Sequence, residues 1–271
     1  MLRPGVCGQE PQTDTDPAQY LYLARAIGHM EGLDGQAALV TGASSGIGAA
    51  TARRLAADGA DVALAARRAE RLEEVAEMVH GEGQEALVAP TDVTDPDAVA
   101  DLVDGTVDAF GRLDVVVNNA GLGRTDPVEE MSNEDYRLMM SVNCDGMFFV
   151  ARETIPHLRE TDGELIFLAS MSGEYPRPAS VVYAATKWWT RGFAHSLAAA
   201  VGEDGIGVTA INPTEVRTEF GEEQAARERY SSEEVTDAEE VADAIAFVAA
   251  QEAPTYIHEM DIYRRDKLSH F

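Results

Sequence analysis

Short apolar runs alternate with longer amphipathic stretches from Gln36 to near the end of the chain. Apolar runs bounded by turn-forming residues are typical of buried strands, and apolar positions three and four residues apart are typical of helices. Their regular alternation predicts a parallel sheet with helices packed on it. The pattern predicts strands near Ala37–Val40, Val62–Ala66, Ala86–Ala89, Val115–Asn118, Leu165–Ala169, Val208–Ile211 and Ile257–Ile262, and helices around 46–57, 69–79, 95–110, 133–160, 182–203 and 238–250.

These elements predict one α/β domain over residues 33–271, with a doubly wound, seven-stranded, mostly parallel sheet and helices on both faces. Residues 1–32 are polar and rich in turn formers, which predicts a loose N-terminal arm. Asp16 and Pro17 fit the start of a short helix within that arm. Ser132 and Asp135 form a predicted capping box for the fourth helix. Ligands of such a fold bind at the carboxyl ends of the strands.

The charge balance of the chain is strongly acidic. Its 48 acidic and 21 basic residues give a formal net charge of -27 over 271 residues. Nucleic acid and anionic membrane surfaces repel such a molecule, so neither is an expected partner. One interpretation is an ordinary acidic protein; we favour a salt-rich cytoplasm, because charge repulsion on this scale destabilises a compact state unless salt screens it.

The remaining composition narrows the chemistry. The two cysteines and six scattered histidines suggest neither a disulfide framework nor a metal site, so we expect no metal cofactor. No apolar run has the length of a membrane span, and the N-terminus shows no secretory pattern. We therefore expect a cytoplasmic protein.

A glycine-rich turn, Thr41-Gly42-Ala43-Ser44-Ser45-Gly46-Ile47-Gly48, follows the first strand and leads into a helix. Glycines allow a tight turn and a close approach of backbone amides to a pyrophosphate at the positive end of the helix. Three glycines alone are weak evidence, since many turns use glycine for structural reasons. The strand before them and the helix after them favour a dinucleotide site.

The end of the second strand bears on the choice of nicotinamide cofactor. An acidic residue there would hold the adenine ribose and repel a 2′-phosphate, but the chain reads Ala65-Ala66-Arg67-Arg68. Arg67 suits a bidentate contact with a phosphate, and Arg68 adds charge or stacks on adenine. The alternative is that both arginines simply begin a solvated helix. We favour NADP(H) over NAD(H).

Tyr183 and Lys187 are spaced four residues apart at the start of a predicted helix, which puts both side chains on one face. An ammonium near a phenol stabilises the phenolate, so we expect the pKa of Tyr183 to be lowered towards neutral pH. Chance produces this spacing on many helices. Lys187 is, however, one of only two lysines in the chain, which favours a functional pair.

At this point the sequence resembles the short-chain dehydrogenase/reductase family, from Leu33 to about Thr218. The segments that carry the resemblance are the turn Thr41–Gly48, Asp92–Val93 after the third strand, Asn118–Gly121 after the fourth, Asn143 in the following helix, Ser170 after the fifth strand, and Tyr183–Lys187. The resemblance implies a Rossmann-type fold and hydride transfer between a nicotinamide and an alcohol or carbonyl.

The resemblance also implies a role for each matched residue. Tyr183 would exchange the proton of the substrate oxygen, Lys187 would lower its pKa and hold the nicotinamide ribose, Ser170 would bond the substrate oxygen, and Asn143 would steady a water that links Lys187 to solvent. Asn118 would brace the neighbouring strands. The implied cofactor contacts are Gly42, Ser44, Ser45, Gly46, Ile47, Gly48, Arg67, Arg68, Asp92, Val93, Asn119, Ala120, Gly121, Tyr183, Lys187, Pro213, Val216 and Thr218.

Two segments depart from the family pattern. Thr214 follows Pro213 where relatives commonly have glycine, so a changed backbone is expected there. The ending Tyr256–Arg265 lacks the family's usual Asp-Gly-Gly element and is similar to NADP-dependent serine and 3-hydroxy acid dehydrogenases. This suggests a hydroxy acid substrate.

The substrate is expected among Leu122–Met131, Met171–Val182 and a lid over 214–236. Family likeness implies a homodimer or homotetramer with the helices at 133–160 and 182–203 between subunits. Glu174, Tyr175, Arg177 and Arg217 are candidates for contacts with a polar or anionic substrate, and the alternative is that they are surface residues. The alternative function is a non-catalytic, NADP(H)-sensing regulator of the same fold, and an epimerase or dehydratase is disfavoured because no added substrate domain is present.

Overall fold

The computed structural model of the protein describes residues 32–218 and 235–265. The N-terminal arm up to residue 31, residues 219–234 of the expected lid and residues 266–271 lie outside the described part. Within the described part, strands and helices alternate as the sequence predicts. They are β1 (Ala37–Thr41), α1 (Gly46–Ala57), β2 (Asp61–Ala66), α2 (Ala69–Gly81), β3 (Ala86–Pro90), α3 (Pro96–Phe110), β4 (Val115–Asn118), α4 (Asn133–Met140), α5 (Met147–Thr161), β5 (Glu164–Leu168), α6 (Val181–Val201), β6 (Gly207–Pro213), β7 (Val216–Arg217), β8 (Thr236–Asp237), α7 (Ala238–Ala249) and β9 (Glu259–Ile262).

The described residues form a seven-stranded sheet in the order β3-β2-β1-β4-β5-β6-β9, and β7 pairs separately with β8. Every pairing in the seven-stranded sheet is parallel, for example Val40 with Leu64 on one side and with Val117 on the other. The predicted doubly wound α/β fold is confirmed. Because the chain winds outward from β1 to β3 and then from β4 to β9, a crevice opens at the carboxyl ends of β1 and β4.

Two hydrophobic cores cover the two faces of the sheet. Along β1, Ala38 and Val40 belong to one core and Leu39 to the other, as the period of two in a strand requires. Helices α1, α2 and α7 pack on the first face, and α3, α5 and α6 pack on the second. Within the described part of the chain, none of the helices combines the length and apolar character that crossing a membrane needs.

The predicted helix over 133–160 is interrupted, which is the main departure from the expected elements. A π-helical segment, Ser141–Gly146, separates α4 from α5 and is called the π-turn below. Its last residue, Gly146, lies so close to Val93 that an added Cβ would come within 2.8 Å of that side chain. The π-turn therefore coincides with a close contact to another part of the fold. The hydrophobic pattern within one helix does not predict such a contact.

The helix ends follow local sequence signals. One half of the predicted capping box is present, since the Ser132 hydroxyl accepts from the Asp135 amide at 3.0 Å; the Asp135 carboxylate accepts from the same hydroxyl. Asp95 caps α3 in the same way, accepting from the amides of Asp97 and Ala98. Gly111 then ends α3 with a φ of 77°, a left-handed conformation that glycine adopts without strain.

Candidate active site

The glycine turn after β1 has the geometry of an anion site. Gly42 and Gly46 have φ angles of 66° and 55°, where a side chain would be strained. An added Cβ on Gly48 would overlap the Gly42 carbonyl oxygen, so α1 starts directly against the turn. Ser45 precedes α1 without any side-chain cap hydrogen bond. The first amides of α1 are thus left for an external acceptor, which fits the predicted pyrophosphate.

The segment after β4 is tied to this turn. The Asn119 side chain donates to the Thr41 carbonyl at 2.7 Å and to the Gly42 carbonyl at 3.3 Å. The backbone amides of Asn119 and Ala120 both donate to the Thr41 hydroxyl at 3.0 Å. These bonds hold the ends of β1 and β4 at a fixed spacing. Sequence reasoning missed the role of Thr41, although a threonine that ends a buried strand before a glycine turn is a recognisable signal.

Asn118 contacts both the helix layer and the neighbouring strand. Its side-chain nitrogen donates to the Met147 carbonyl at 2.9 Å, so it joins β4 to the start of α5. The pairing of Asn118 with the neighbouring strand runs through its backbone, in register with Phe167. The expected bracing of the neighbouring strands by Asn118 stays a prediction, and its side chain contacts the helix layer.

The two arginines after β2 differ in their contacts. One guanidinium nitrogen of Arg68 donates to the hydroxyls of Ser44 and Ser45, at 2.9 and 3.0 Å. Arg68 therefore lies against the glycine turn, beside two further predicted cofactor contacts. Arg67 is exposed at the end of β2. Both positive charges are at the side of the crevice where the sequence predicts the adenine ribose.

Asp92 and Val93 follow β3 at the same edge of the sheet. The Asp92 carboxylate accepts from the amide and the hydroxyl of Thr94, at 3.0 and 2.8 Å, and stays exposed. Val93 is buried against Gly146 of the π-turn. The pair thus links the predicted adenine side of the crevice to the element that carries Asn143.

The predicted catalytic residues Ser170, Tyr183 and Lys187 come together at the carboxyl end of β5. Ser170 lies near enough to Tyr183 for its side chain to act on the ionisation of the phenol. The Lys187 ammonium lies 5.8 Å from the centre of the Tyr183 ring and donates to the Leu168 carbonyl at 2.7 Å. An added Cβ on Gly121 would lie 3.8 Å from the Lys187 nitrogen, so the segment after β4 borders the same space.

The ionisation of Tyr183 differs from the expectation. Burial raises the pKa of Tyr183 to about 12, although Ser170 and the positive charge of Arg177 act in the opposite direction. The predicted lowering of this pKa is therefore wrong for this structure, because loss of water outweighs the effects of Ser170 and Arg177. At neutral pH the phenol keeps its proton.

Burial changes the ionisation of Lys187 in the opposite sense. The side chain is 4% exposed, and burial lowers the pKa of Lys187 to about 8. An ammonium with this pKa is mostly charged at neutral pH and exchanges protons slightly above it. The site thus joins a protonated phenol to an amine that titrates near physiological pH.

Asn143 is the fourth predicted residue and lies in the π-turn, fully buried. Its side-chain oxygen accepts from the Leu122 amide at 2.9 Å. Its side-chain nitrogen donates to the Leu122 carbonyl at 2.8 Å and to the Thr186 hydroxyl at 3.0 Å. The carboxamide therefore connects the segment after β4 with α6, one residue before Lys187.

The segment after β6 returns to the glycine turn. Thr214 has an ordinary backbone conformation, since Asp162 alone among the described non-glycine residues has a positive φ. The Thr214 amide donates to the Ile262 carbonyl at 3.1 Å. The replacement of glycine therefore imposes no strained conformation at this position. Thr218 is buried, and an added Cβ on Gly46 would lie 3.1 Å from its side chain. Pro213 and Val216 lead the chain towards this contact.

The four candidate substrate residues have different surroundings. Glu174 and Tyr175 both act on the ionisation of Tyr263. The charge of Arg177 reaches Tyr183. Arg217, in contrast, donates to Asp237 at 2.7 Å and joins β7 to β8. Arg177 thus belongs to the surroundings of the Tyr183 phenol, whereas Arg217 has a contact that stabilises a strand pair.

Comparison with known proteins agrees with this arrangement. A family model described as short chain dehydrogenase matches residues 36–229. The chain is 38% identical to gluconate 5-dehydrogenase of Gluconobacter oxydans over 203 residues, which are 73% of this chain and 78% of the relative. It is 33% identical to serine 3-dehydrogenase of Agrobacterium fabrum over 231 residues, 83% of this chain and 92% of the relative.

A solved structure agrees as well. A short chain dehydrogenase from Burkholderia cenocepacia in complex with NADP is 34% identical, with a TM-score of 0.78, and the match covers 85% of this chain and 97% of that one. The named relatives are enzymes, which favours the oxidoreductase interpretation over the sensor. The chain therefore belongs to the short-chain dehydrogenase family and is an oxidoreductase that acts on alcohols or carbonyls with an NAD(P) cofactor.

Proposed function

We propose that this enzyme interconverts a small hydroxy acid and its carbonyl form, prefers NADP(H) to NAD(H), and uses Tyr183 as its general acid and base. The observation that carries the proposal is the position of the Tyr183 ring, near Ser170 and 5.8 Å from the buried Lys187 ammonium, at the carboxyl ends of the strands. When bound, the nicotinamide supplies or accepts the hydride.

In the direction of reduction, Tyr183 gives a proton to the substrate oxygen as that oxygen gains charge. A pKa of about 12 keeps the phenol protonated, so the donor is ready at neutral pH. Ser170 bonds the same oxygen and stabilises its developing charge. Oxidation runs through the same groups in reverse, with the phenolate taking the hydroxyl proton.

Lys187 and Asn143 support the phenol. A positive Lys187 stabilises the phenolate that remains after proton donation, and its pKa of about 8 suits the return of a proton from solvent. Its ammonium would also hold the nicotinamide ribose. Asn143 steadies a water between Lys187 and solvent.

The NADP(H) preference is supported by the two guanidinium groups after β2 and by the lack of a carboxylate at that strand end. Arg67 would bind the 2′-phosphate through two hydrogen bonds, and Arg68, which lies against Ser44 and Ser45, would add positive charge. The glycine turn and the start of α1 would hold the pyrophosphate. Asp92 and Val93 would contact adenine; Asn119, Ala120 and Gly121 would line the cofactor; and Pro213, Val216 and Thr218 would contact the nicotinamide.

The hydroxy acid class is supported by two relatives whose names give a carboxylate-bearing substrate, gluconate and serine. It is also supported by the Arg177 charge near Tyr183.

The enzyme acts as a homodimer or homotetramer in a cytoplasm. Helices α4, α5 and α6 form the contacts between subunits, where Trp188 and Phe148 are 51% and 41% exposed.

The test is Tyr183→Phe, assayed with NADPH and NADP⁺ at high salt against a panel of hydroxy acids, sugars, ketones and quinones. Turnover should fall by at least about a hundredfold, because the proton donor is lost. Cofactor binding, followed by fluorescence, should be unchanged. Tyr136→Phe, at an exposed tyrosine of α4, is the matched control. Near-normal turnover of Tyr183→Phe would refute the mechanism.

A further inference from the structure

The hydroxyl of Thr186 lies buried between α6 and the π-turn. It donates to the Tyr183 carbonyl at 2.7 Å and accepts from the Asn143 side chain at 3.0 Å. The residue is 1% exposed, so water does not replace either bond at low cost. One hydroxyl thus touches the backbone of the predicted proton donor and the carboxamide of the predicted relay residue.

The other bonds of Asn143 make this contact specific. Both hydrogens of its side-chain nitrogen are used, one by the Leu122 carbonyl and one by Thr186, while its oxygen accepts from the Leu122 amide. A continuous chain of hydrogen bonds therefore runs from Leu122 through Asn143 and Thr186 to Tyr183. Removal of the Thr186 hydroxyl leaves one buried N–H of Asn143 without an acceptor.

Thr190, one turn further along α6, is a natural comparison. It is also fully buried, and its hydroxyl donates to the Thr186 carbonyl at 3.0 Å, as a helical threonine commonly does. Its other contact is the sulfur of Met147 at 3.5 Å, a weak acceptor. The two threonines share burial and helix, but only Thr186 of the two bonds to Asn143.

We propose that Thr186 is a positioning residue for proton transfer: its hydroxyl fixes the start of α6 against the π-turn, so that the Tyr183 phenol and Asn143 stay in their working arrangement. The proposal rests on the proposed function, because it assigns Thr186 an effect through Tyr183. Proton transfer depends steeply on placement, and a displacement of about 1 Å costs up to about a hundredfold in rate.

The test compares Thr186→Val, which keeps the shape and removes the hydroxyl, with Thr186→Ser, which restores the hydroxyl. The matched control is Thr190→Val. We expect kcat of Thr186→Val to fall by at least about tenfold with little change in the cofactor KM, and its kcat–pH profile to shift. Thr186→Ser and Thr190→Val should stay within about twofold of the natural enzyme and keep its pH profile. Equal effects of Thr186→Val and Thr190→Val would overturn the proposal.

A second measurement is independent of turnover. Backbone hydrogen exchange over 120–124 and 138–148 should be faster in Thr186→Val than in Thr190→Val, because the Asn143 bonds to Leu122 loosen. Equal exchange of the two variants in these segments would overturn the proposal. This measurement needs no substrate, so it stays decisive even if the natural enzyme turns over nothing in the panel. Absence of turnover by the natural enzyme would refute the proposed function separately. If Thr186→Val does not fold, Thr186→Ala is measured in its place, since alanine suits a helix.

Discussion

At the scale of single residues, loss of water explains the main shifts in ionisation at the site. Burial disfavours the charged form of each group, so it raises the pKa of Tyr183 to about 12 and lowers that of Lys187 to about 8. The two shifts bring both groups towards their uncharged forms. A phenol that stays protonated and an amine that titrates near neutral pH are suited to passing a proton inwards from solvent.

The same effect occurs at Glu164, at the opposite edge of the sheet. This carboxyl is buried at the start of β5, one of its oxygens has no hydrogen-bond partner among the described residues, and an added Cβ on Gly207 would overlap it. Burial raises the pKa of Glu164 to about 8 from its ordinary value of 4.5. The fold therefore holds the proton that the unfolded chain releases.

The resulting prediction concerns stability against pH. Because the folded-state pKa is the higher one, the contribution of Glu164 to the free energy of unfolding is full below pH 4.5 and is lost as pH rises to about 8. Glu164→Gln should remove this dependence and stabilise the protein at pH 8.5. Urea unfolding at pH 5.5 and 8.5, in constant high salt, measures it. Glu160→Gln, at an exposed site, is the control. If the free energy of unfolding depends on pH in Glu164→Gln as it does in the natural protein, the prediction is contradicted.

A second prediction at this scale concerns the cofactor. Arg67→Asp should raise the KM for NADPH by about tenfold or more, because a charged hydrogen bond to the 2′-phosphate is replaced by repulsion. The KM for NADH should change far less. Arg71→Asp is a matched control, since Arg71 is exposed on α2 and pairs with Glu74. An equal loss for both cofactors would show that Arg67 does not read the phosphate.

Residue chemistry was only partly readable from the sequence. Spacing and strand ends identified Ser170, Tyr183 and Lys187, and the fold brings them together. The direction of the Tyr183 pKa was not readable, because it depends on how much water the surrounding loops exclude. The hydrogen bonds of Thr41 and Thr186 were missed because their partners are far away in the chain, at separations of 78 and 43 residues.

At the scale of elements, the strands were the most predictable part. Strands buried on both faces leave uninterrupted apolar runs, and β1, β2 and β4 were placed to within a residue or two of their observed ends. The π-turn was not predictable. Its sequence, Ser141–Gly146, is compatible with a regular helix, and what accompanies the wider turn is the contact of Gly146 with Val93 and the bonds of Asn143 to Leu122.

At the scale of the whole molecule, the net charge of -27 is the dominant property. Several arginines are already paired, such as Arg54 with Asp58 and Arg159 with Asp204, and pairs of this kind leave most of the acidic excess unbalanced. Repulsion among the remaining carboxylates acts over the Debye length, which is about 10 Å at 0.1 M salt and about 3 Å at 1 M.

We therefore expect the free energy of unfolding to rise substantially between dilute buffer and molar potassium chloride. Thermal or urea unfolding across that series measures it, with sucrose at matched osmolality as the uncharged control. Undiminished stability in dilute buffer, or an equal gain from sucrose, would reject the view that this chain is adapted to a salt-rich cytoplasm.

The burial of Lys187 also matters for anyone who handles this enzyme. With Lys267 as the only other lysine, acylating reagents meet very few amines, and the one at the centre of the molecule is shielded. Slow acylation of Lys187 would in turn report how often the crevice opens.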